Sequence, residues 1–148
     1  SELKRLIPSA NRATLWLFND EYTEINCLMC LDENNQVILD SVLKAKEYPA
    51  YFNYILGHQI LDAPDARTHE VTKGFTKDYF EQYDIYSVLD YIFFKDNKPL
   101  GVICCESIGS KISWTHADKE ALIKVTDVTT LFLSKIIDRN SNDESQTV

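Results

Sequence analysis

The chain is poor in the residues that break regular structure. Of 148 residues only four are Gly and four Pro, which excludes collagen-like, low-complexity and largely disordered chains and leaves a globular domain. Positive charge is also in deficit: 15 Lys and Arg stand against 23 Asp and Glu, a formal charge of -8. A nucleic-acid backbone or an anionic membrane meets repulsion over most of such a surface, so neither is an expected partner. No purely apolar run exceeds a few residues, and Ser1 to Arg5 has no apolar stretch of the signal-peptide type, so the sequence predicts no membrane insertion and a cytoplasmic location. Motifs of common chemistries are missing too. There is no Gly-rich phosphate loop and no His-Glu-x-x-His, and His58, His69 and His116 form no readable triad with a nucleophile; no catalytic residue, metal or resident cofactor is predicted. What is present is 45% hydrophobic residues in a length suited to one domain, enough to bury roughly 70% of the surface an extended chain exposes.

Cysteine is scarce but suggestively spaced. Cys27-Leu28-Met29-Cys30 has the Cys-x-x-Cys spacing of zinc knuckles and redox motifs, and Cys104-Cys105 is vicinal. Both pairs fall in predicted strands, where residues three apart or adjacent point to opposite faces. The expectation is four small buried hydrophobes in a reducing compartment, with no convergent thiol pair.

Strand signals come first along the chain. Arg12 to Asn19 is β-branched and aromatic and ends in Asn19-Asp20-Glu21, Ile25 to Leu31 follows at hairpin distance, and Gln36 to Leu39 continues the antiparallel pattern after a polar turn. Tyr48 to Gly57, with Pro49 in its first turn and Gly57 past its end, predicts a short helix. Ile60-Leu61 reads as a brief strand, Asp62 to Thr68 as a loop and Thr76 to Tyr83 as another short helix. Tyr86 to Phe94 and Leu100 to Ile108 flank a polar tip and read as a central hairpin. Thr115-His116-Ala117-Asp118 then caps a long helix, with Leu122, Val125, Thr129, Phe132 and Ile136 on a core-facing stripe. Leu131, Leu133 and Ile137 fall off that stripe as a second apolar surface. One domain over 1–138 is expected, with 139–148 a polar, disordered tail or the start of a linker.

The fold class predicted is α+β: an antiparallel sheet of five or six strands with short helices inserted between its halves and a long C-terminal helix packed on it. Within that order, Arg12-Ala-Thr-Leu-Trp-Leu-Phe, Tyr48-Pro-Ala-Tyr-Phe, Ile60-Leu-Asp-Ala-Pro-Asp-Ala-Arg-Thr-His-Glu70, Tyr86-Ser-Val-Leu-Asp90, Gly101-Val-Ile-Cys-Cys-Glu106 and Trp114 resemble the blocks of GAF domains in bacterial sensor histidine kinases and diguanylate cyclases. The resemblance implies a non-catalytic sensory module. Such a module binds a small molecule between one sheet face and the inserted region, and relays occupancy through its terminal helices to a covalently linked output domain, as a homodimer. A ligand-free dimerisation module and a thiol enzyme resembling free methionine sulfoxide reductase are the alternatives. The chain departs from two branches of the family: it has no Cys-His dipeptide of the bilin-binding type and no Asn-Lys-Phe-Asp-Glu signature of the cyclic-nucleotide-binding type. Cys105 stands where sensor-type relatives carry His.

Tyr51, Asp62, His69, Tyr83, Asp90, Glu106 and Trp114 are the candidate ligand-binding residues. Asp90 and Glu106 are carboxylates inside apolar strands, where burial demands a hydrogen bond or an opposite charge; for Asp90 the sequence leaves open a ligand, Arg12 or a loop amide. Asp62 and His69 belong to a cluster of ionisable residues with Asp65, Arg67 and Glu70, which serves either a polar ligand or the turn itself. Tyr51 and Tyr83 are amphipathic rings of the inserted region, where they line a cavity or pack helices. Trp114 is either a pocket residue or a structural anchor.

Overall fold

The computed structural model describes residues 2–34 and 41–146. Six strands, β1 (Arg12–Phe18), β2 (Glu24–Asp32), β3 (Val42–Lys44), β4 (Ile60–Ala63), β5 (Ile85–Lys95) and β6 (Lys98–Ile108), form one sheet in the order β3-β2-β1-β6-β5-β4. Every neighbouring pair is antiparallel. The strand expected over Gln36 to Leu39 lies outside the described residues; β3, which the sequence reading did not anticipate, takes the edge beside β2. The β5–β6 hairpin turns on Asp96 and Asn97, both at positive φ (52° and 64°). That two-residue turn matches the right-handed twist of the flanking strands, and Asp and Asn tolerate it.

Side-chain alternation divides the sheet into two faces, each with its own core. On one face Leu89, Phe93, Ile103 and Cys105 pack with Leu3 and Ile7, Trp114, and Leu122 and Leu133. The helices on this face are α1 (Glu2–Leu6), which the sequence reading missed, and α3 (His116–Gln146). On the other face Trp16, Ile25, Val88, Ile92 and Val102 pack with Tyr51, Phe52 and Ile55 of α2 (Pro49–Ile55) and with Phe75 and Phe80. The predicted helix over 76–83 is instead a 3-10 turn (Lys73–Phe75) followed by a π turn (Thr76–Phe80), closed by the Glu81 N–H donating to the Thr76 carbonyl at 2.9 Å. The wide turn lets residues five apart, Phe75 and Phe80, share the buried face. Gly101 is required where β6 meets β1: a Cβ there would lie 2.2 Å from the Trp16 carbonyl oxygen.

α3 begins with the reciprocal cap the sequence predicts: the Asp118 N–H donates to Thr115 Oγ1 (3.0 Å) and the Thr115 N–H to Asp118 Oδ2 (2.8 Å). The extent of this helix is a finding of the structure, and the expectation for its buried stripe is corrected. The helix runs on through Gln146, past Asp138, since no Gly or Pro interrupts it. Its buried stripe is Asp118, Leu122, Thr126 and Leu133; Phe132 and Ile136 face outward, Phe132 at 64% exposure. Thr126, Thr129 and Thr130 fold their hydroxyls back onto the carbonyls four residues earlier at 2.7 to 2.8 Å. The polar atoms are thereby satisfied, and threonine methyls serve as packing surface.

Candidate functional site

Alternation in β1 sends Arg12, Thr14 and Trp16 to the face opposite α3. The register then builds two cross-strand rows: Val88, Glu106 and Arg12 in one, Asp90, Cys104 and Thr14 in the next. Tyr51 of α2 and Phe75, Tyr79 and Phe80 of the two turns lie over these rows and border a cavity of about 40 Å³. Tyr51 donates to Asp90 Oδ2 at 2.6 Å, and the Cys104 sulfur lies 3.7 Å from the same hydroxyl. Asp90 Oδ1 is buried without a hydrogen-bond partner. Glu106 Oε1 lies 3.3 Å from Arg12 Nε, an ion pair lacking the alignment of a hydrogen bond. Arg12 Nη2 donates to the Tyr79 hydroxyl at 2.8 Å, which in turn donates to Glu106 at 3.4 Å.

Burial dominates the electrostatics. It raises Asp90 to about 7, opposed by the Tyr51 hydrogen bond and the nearby Cys104 thiol and helped by the charge of Glu106. Burial likewise raises Glu106 to about 7, against the pull of Arg12 and the Tyr79 hydrogen bond. For Arg12 burial acts downward, yet Glu106 and the neighbouring tyrosines and Cys30 raise it overall. Desolvation first, then the nearby carboxylates, pushes Tyr51, Tyr79 and Cys104 up, so all three remain protonated donors at neutral pH. The site thus holds one guanidinium and two carboxyl groups, both raised by burial well above the ordinary carboxylate range.

An outer cleft of about 380 Å³ adjoins the cavity and shares Thr14, Trp16, Leu43 and Tyr79 with it. Tyr83 stands in this cleft, half-exposed, with the Arg12 guanidinium 4.8 Å from its ring centre. Cys27 and Cys30 line it together, contrary to the expectation that they diverge. A β-bulge at Leu28 is the reason: Cys27 pairs with Trp16 and Cys30 with Thr14, residues two apart on β1, so the extra residue restores both thiols to one face. Cys27 is only partly buried, and Cys104 faces the cavity. The vicinal Cys104 and Cys105 do point to opposite cores, as alternation requires.

Of the seven candidates, the structure brings Tyr51, Asp90 and Glu106 into the cavity wall and Tyr83 into the adjoining cleft. The other three lie elsewhere. Asp62 pairs with Lys119 of α3 at 2.7 Å. His69 accepts the Val71 N–H through Nδ1 at 3.1 Å within its own loop. Trp114 is buried in the α3-side core, its indole N–H without a partner. The remaining ionisable residues of the 62–70 loop make surface pairs, Asp65 with Lys111 and Glu70 with Lys73, while Arg67 donates to the Ile85 carbonyl and stacks on Tyr86. Sequence reasoning placed Tyr79 among the insert's tyrosines that line a cavity or pack helices, but passed over Thr14 and Trp16, although the alternation of Arg12, Thr14 and Trp16 with Ala13, Leu15 and Leu17 marks β1 as two-faced.

No family model matches the sequence, and no curated protein matches it. Similarity appears in three dimensions. The GAF domain of a two-component sensor histidine kinase from Bacillus halodurans superposes with a TM-score of 0.70 at 17% identity, covering 91% of this chain and 88% of that one. The GAF domain of a phosphoenolpyruvate-protein phosphotransferase from Coxiella burnetii does so at 0.71 and 12%, covering 89% and 76%. The blue-light-absorbing PixJ GAF domain of Thermosynechococcus elongatus gives 0.71 and 13%, covering 97% and 85%. These domains serve different proteins and share the architecture described above, so the chain has the GAF fold.

Proposed function

We propose that this is the sensory domain of a bacterial signalling protein, one that binds a small molecule in the Asp90–Glu106 cavity and reports occupancy through α3 to a linked output domain in the cytoplasm. The observation that carries this reading is the cavity itself: two buried carboxyl groups, one with an unpartnered oxygen, beside a group of aromatic rings. A chain built for structure alone has little reason to keep that arrangement, because an unpaired buried acid is costly. GAF domains of sensory proteins among the similar structures support the same reading. The route to α3 is short, since Asp90 alternates on β5 with Leu89 and Tyr91, which belong to the core beneath that helix. Among the described residues no helix is long and apolar enough to cross a membrane, consistent with the proposed location. The thiol-enzyme alternative is disfavoured: burial pushes Cys104 and Cys105 up, away from the thiolate a nucleophile needs. A thermal-shift library of amines, nucleotides, amino acids and organic acids, joined to native mass spectrometry for a carried ligand, tests the proposal. The expected result is a rise in Tm for one chemical class that grows with the logarithm of its concentration; no response to any compound would leave the ligand-free dimerisation module as the better account.

A further inference from the structure

We propose that Cys27 and Cys30 hold one thiophilic monovalent ion of the copper(I) class between their sulfurs, at the wall of the outer cleft. The site is independent of what the Asp90–Glu106 cavity binds.

Placement is the first argument. The bulge at Leu28 sets Cys27 opposite Trp16 and Cys30 opposite Thr14, so the two thiols take neighbouring positions on one face of β2 and both line the cleft. The Cys27 sulfur leans toward Cys30: its S–H donates at 3.5 Å to the carbonyl of Met29, the residue just before it. Neighbouring same-face positions on a strand lie roughly 7 Å apart, at the outer limit of about 6.8 Å for the Cα atoms of a disulfide. A direct sulfur–sulfur bond is therefore disfavoured, whereas an ion set between the sulfurs spans a wider gap. Cys27 is partly exposed and gives that ion a way in from the cleft.

Donor number is the second. Among the described residues, no three Cys, His, Asp or Glu side chains are grouped so as to share a metal ion. Structural zinc and iron–sulfur centres use four such donors, so this pair does not suit them. Copper(I) has a filled d shell, prefers soft thiolates and is satisfied by two of them in a line.

Charge is the third. Burial raises both thiols, so each is protonated at neutral pH and must give up its proton to the ion. One copper(I) and two thiols give a copper dithiolate and two protons, with no change in oxidation state. The dithiolate carries one negative charge. Arg12, which also pairs with Glu106, stands beside Cys30, where its guanidinium favours the thiolate by charge and by hydrogen bonding.

The test is anaerobic titration of the reduced 148-residue chain at about pH 7 with copper(I) held by bicinchoninate, whose colour fades as the metal leaves it. The unaltered chain is expected to withdraw one equivalent and to release two protons per copper, read with an indicator dye in weak buffer. Cys27→Ser and Cys30→Ser are each expected to weaken binding by at least about tenfold. Met29→Leu, which removes a thioether from the α3 side of the sheet, is expected to bind as the unaltered chain does. Zinc(II) at the same concentration is expected to release no protons. If a serine variant does not fold, copper X-ray absorption of the unaltered chain serves instead, with two sulfur neighbours and no nitrogen expected. Copper retained after both cysteines are replaced, a third donor at the metal, or zinc bound as tightly as copper would overturn the proposal. A chain that leaves all the copper with bicinchoninate would do the same.

Discussion

Asp90 and Glu106 make the stability of the fold depend on pH in a direction opposite to that of most surface carboxylates. Both have folded-state values near 7 against ordinary values near 4, so between those limits the native chain holds more protons than the unfolded one. Their contribution is complete below about pH 4 and is lost as pH rises through about 7. Equilibrium denaturation is therefore expected to give lower stability at pH 8.5 than at pH 5.5. Asp90→Asn, which keeps an acceptor for Tyr51 and removes the charge, is expected to stabilise the chain at pH 8.5 by on the order of 2–4 kcal/mol and to halve the slope. A stability flat across this range would contradict the buried, underpaired geometry. Gly101 offers a contrasting test, because its constraint is steric. A Cβ would meet the Trp16 carbonyl at 2.2 Å and the Phe93 ring at 2.7 Å, forcing apart β1 and β6 at the centre of the sheet. Gly101→Ala is expected to cost about 3 kcal/mol at either pH, and an unchanged denaturation midpoint would rule out the close approach.

At the scale of the element, sequence signals were readable where chemistry is local and unreadable where geometry depends on a partner strand. The α3 cap follows from Thr115 and Asp118 alone and is present as expected. Asp118 does more than its motif implies, since its other oxygen accepts the Ser9 N–H at 3.2 Å and ties the N-terminal segment to the helix. Thr115→Ala is expected to cost about 1 kcal/mol and Asp118→Ala about 2, because the second loses both links; equal losses in denaturant titrations would deny the Ser9 contact any weight. The bulge at Leu28 shows the limit. An insertion in one strand is defined only against the register of its neighbour, so alternation carried across Cys27 to Cys30 assigned opposite faces to thiols that share one. The same limit hid half of the site. Asp90 and Glu106 stood out as acids within apolar strands, and Tyr51 by its place in an aromatic insert. Trp16 and Thr14 are unremarkable until the sheet sets them around one cavity. Asp62 and His69 looked functional because charges cluster in that loop, yet their partners are Lys119 and a backbone amide.

For the whole molecule, the two faces of the sheet divide the labour, the cavity on one and α1 with α3 on the other. The outward side of α3 carries Val128, Leu131 and Phe132 at 69%, 60% and 64% exposure. Phe132 and Val128 also join Leu15, Leu28 and Met29 in a groove along the sheet edge of the helix. We propose that this apolar stripe is an association surface, since helices packing about a two-fold axis bring identical stripes together. A homodimer through α3 is the assembly this favours. It gives the sensory proposal a lever: a shift in β5 and β6 on ligand binding would be felt at the shared helix pair. Because these side chains are already solvated in the single chain, replacing them barely affects its folding, so assembly is measurable separately from stability. Sedimentation equilibrium is expected to find the unaltered chain dimeric at concentrations on the order of 100 μM. Leu131→Glu with Phe132→Glu is expected to be monomeric there, with an unchanged far-ultraviolet spectrum and a Tm within about 2 °C once the concentration dependence of the dimer is taken out. An unaltered chain that stays monomeric throughout would remove the helix pair, and any relay from the cavity would then have to pass along α3 within a single chain.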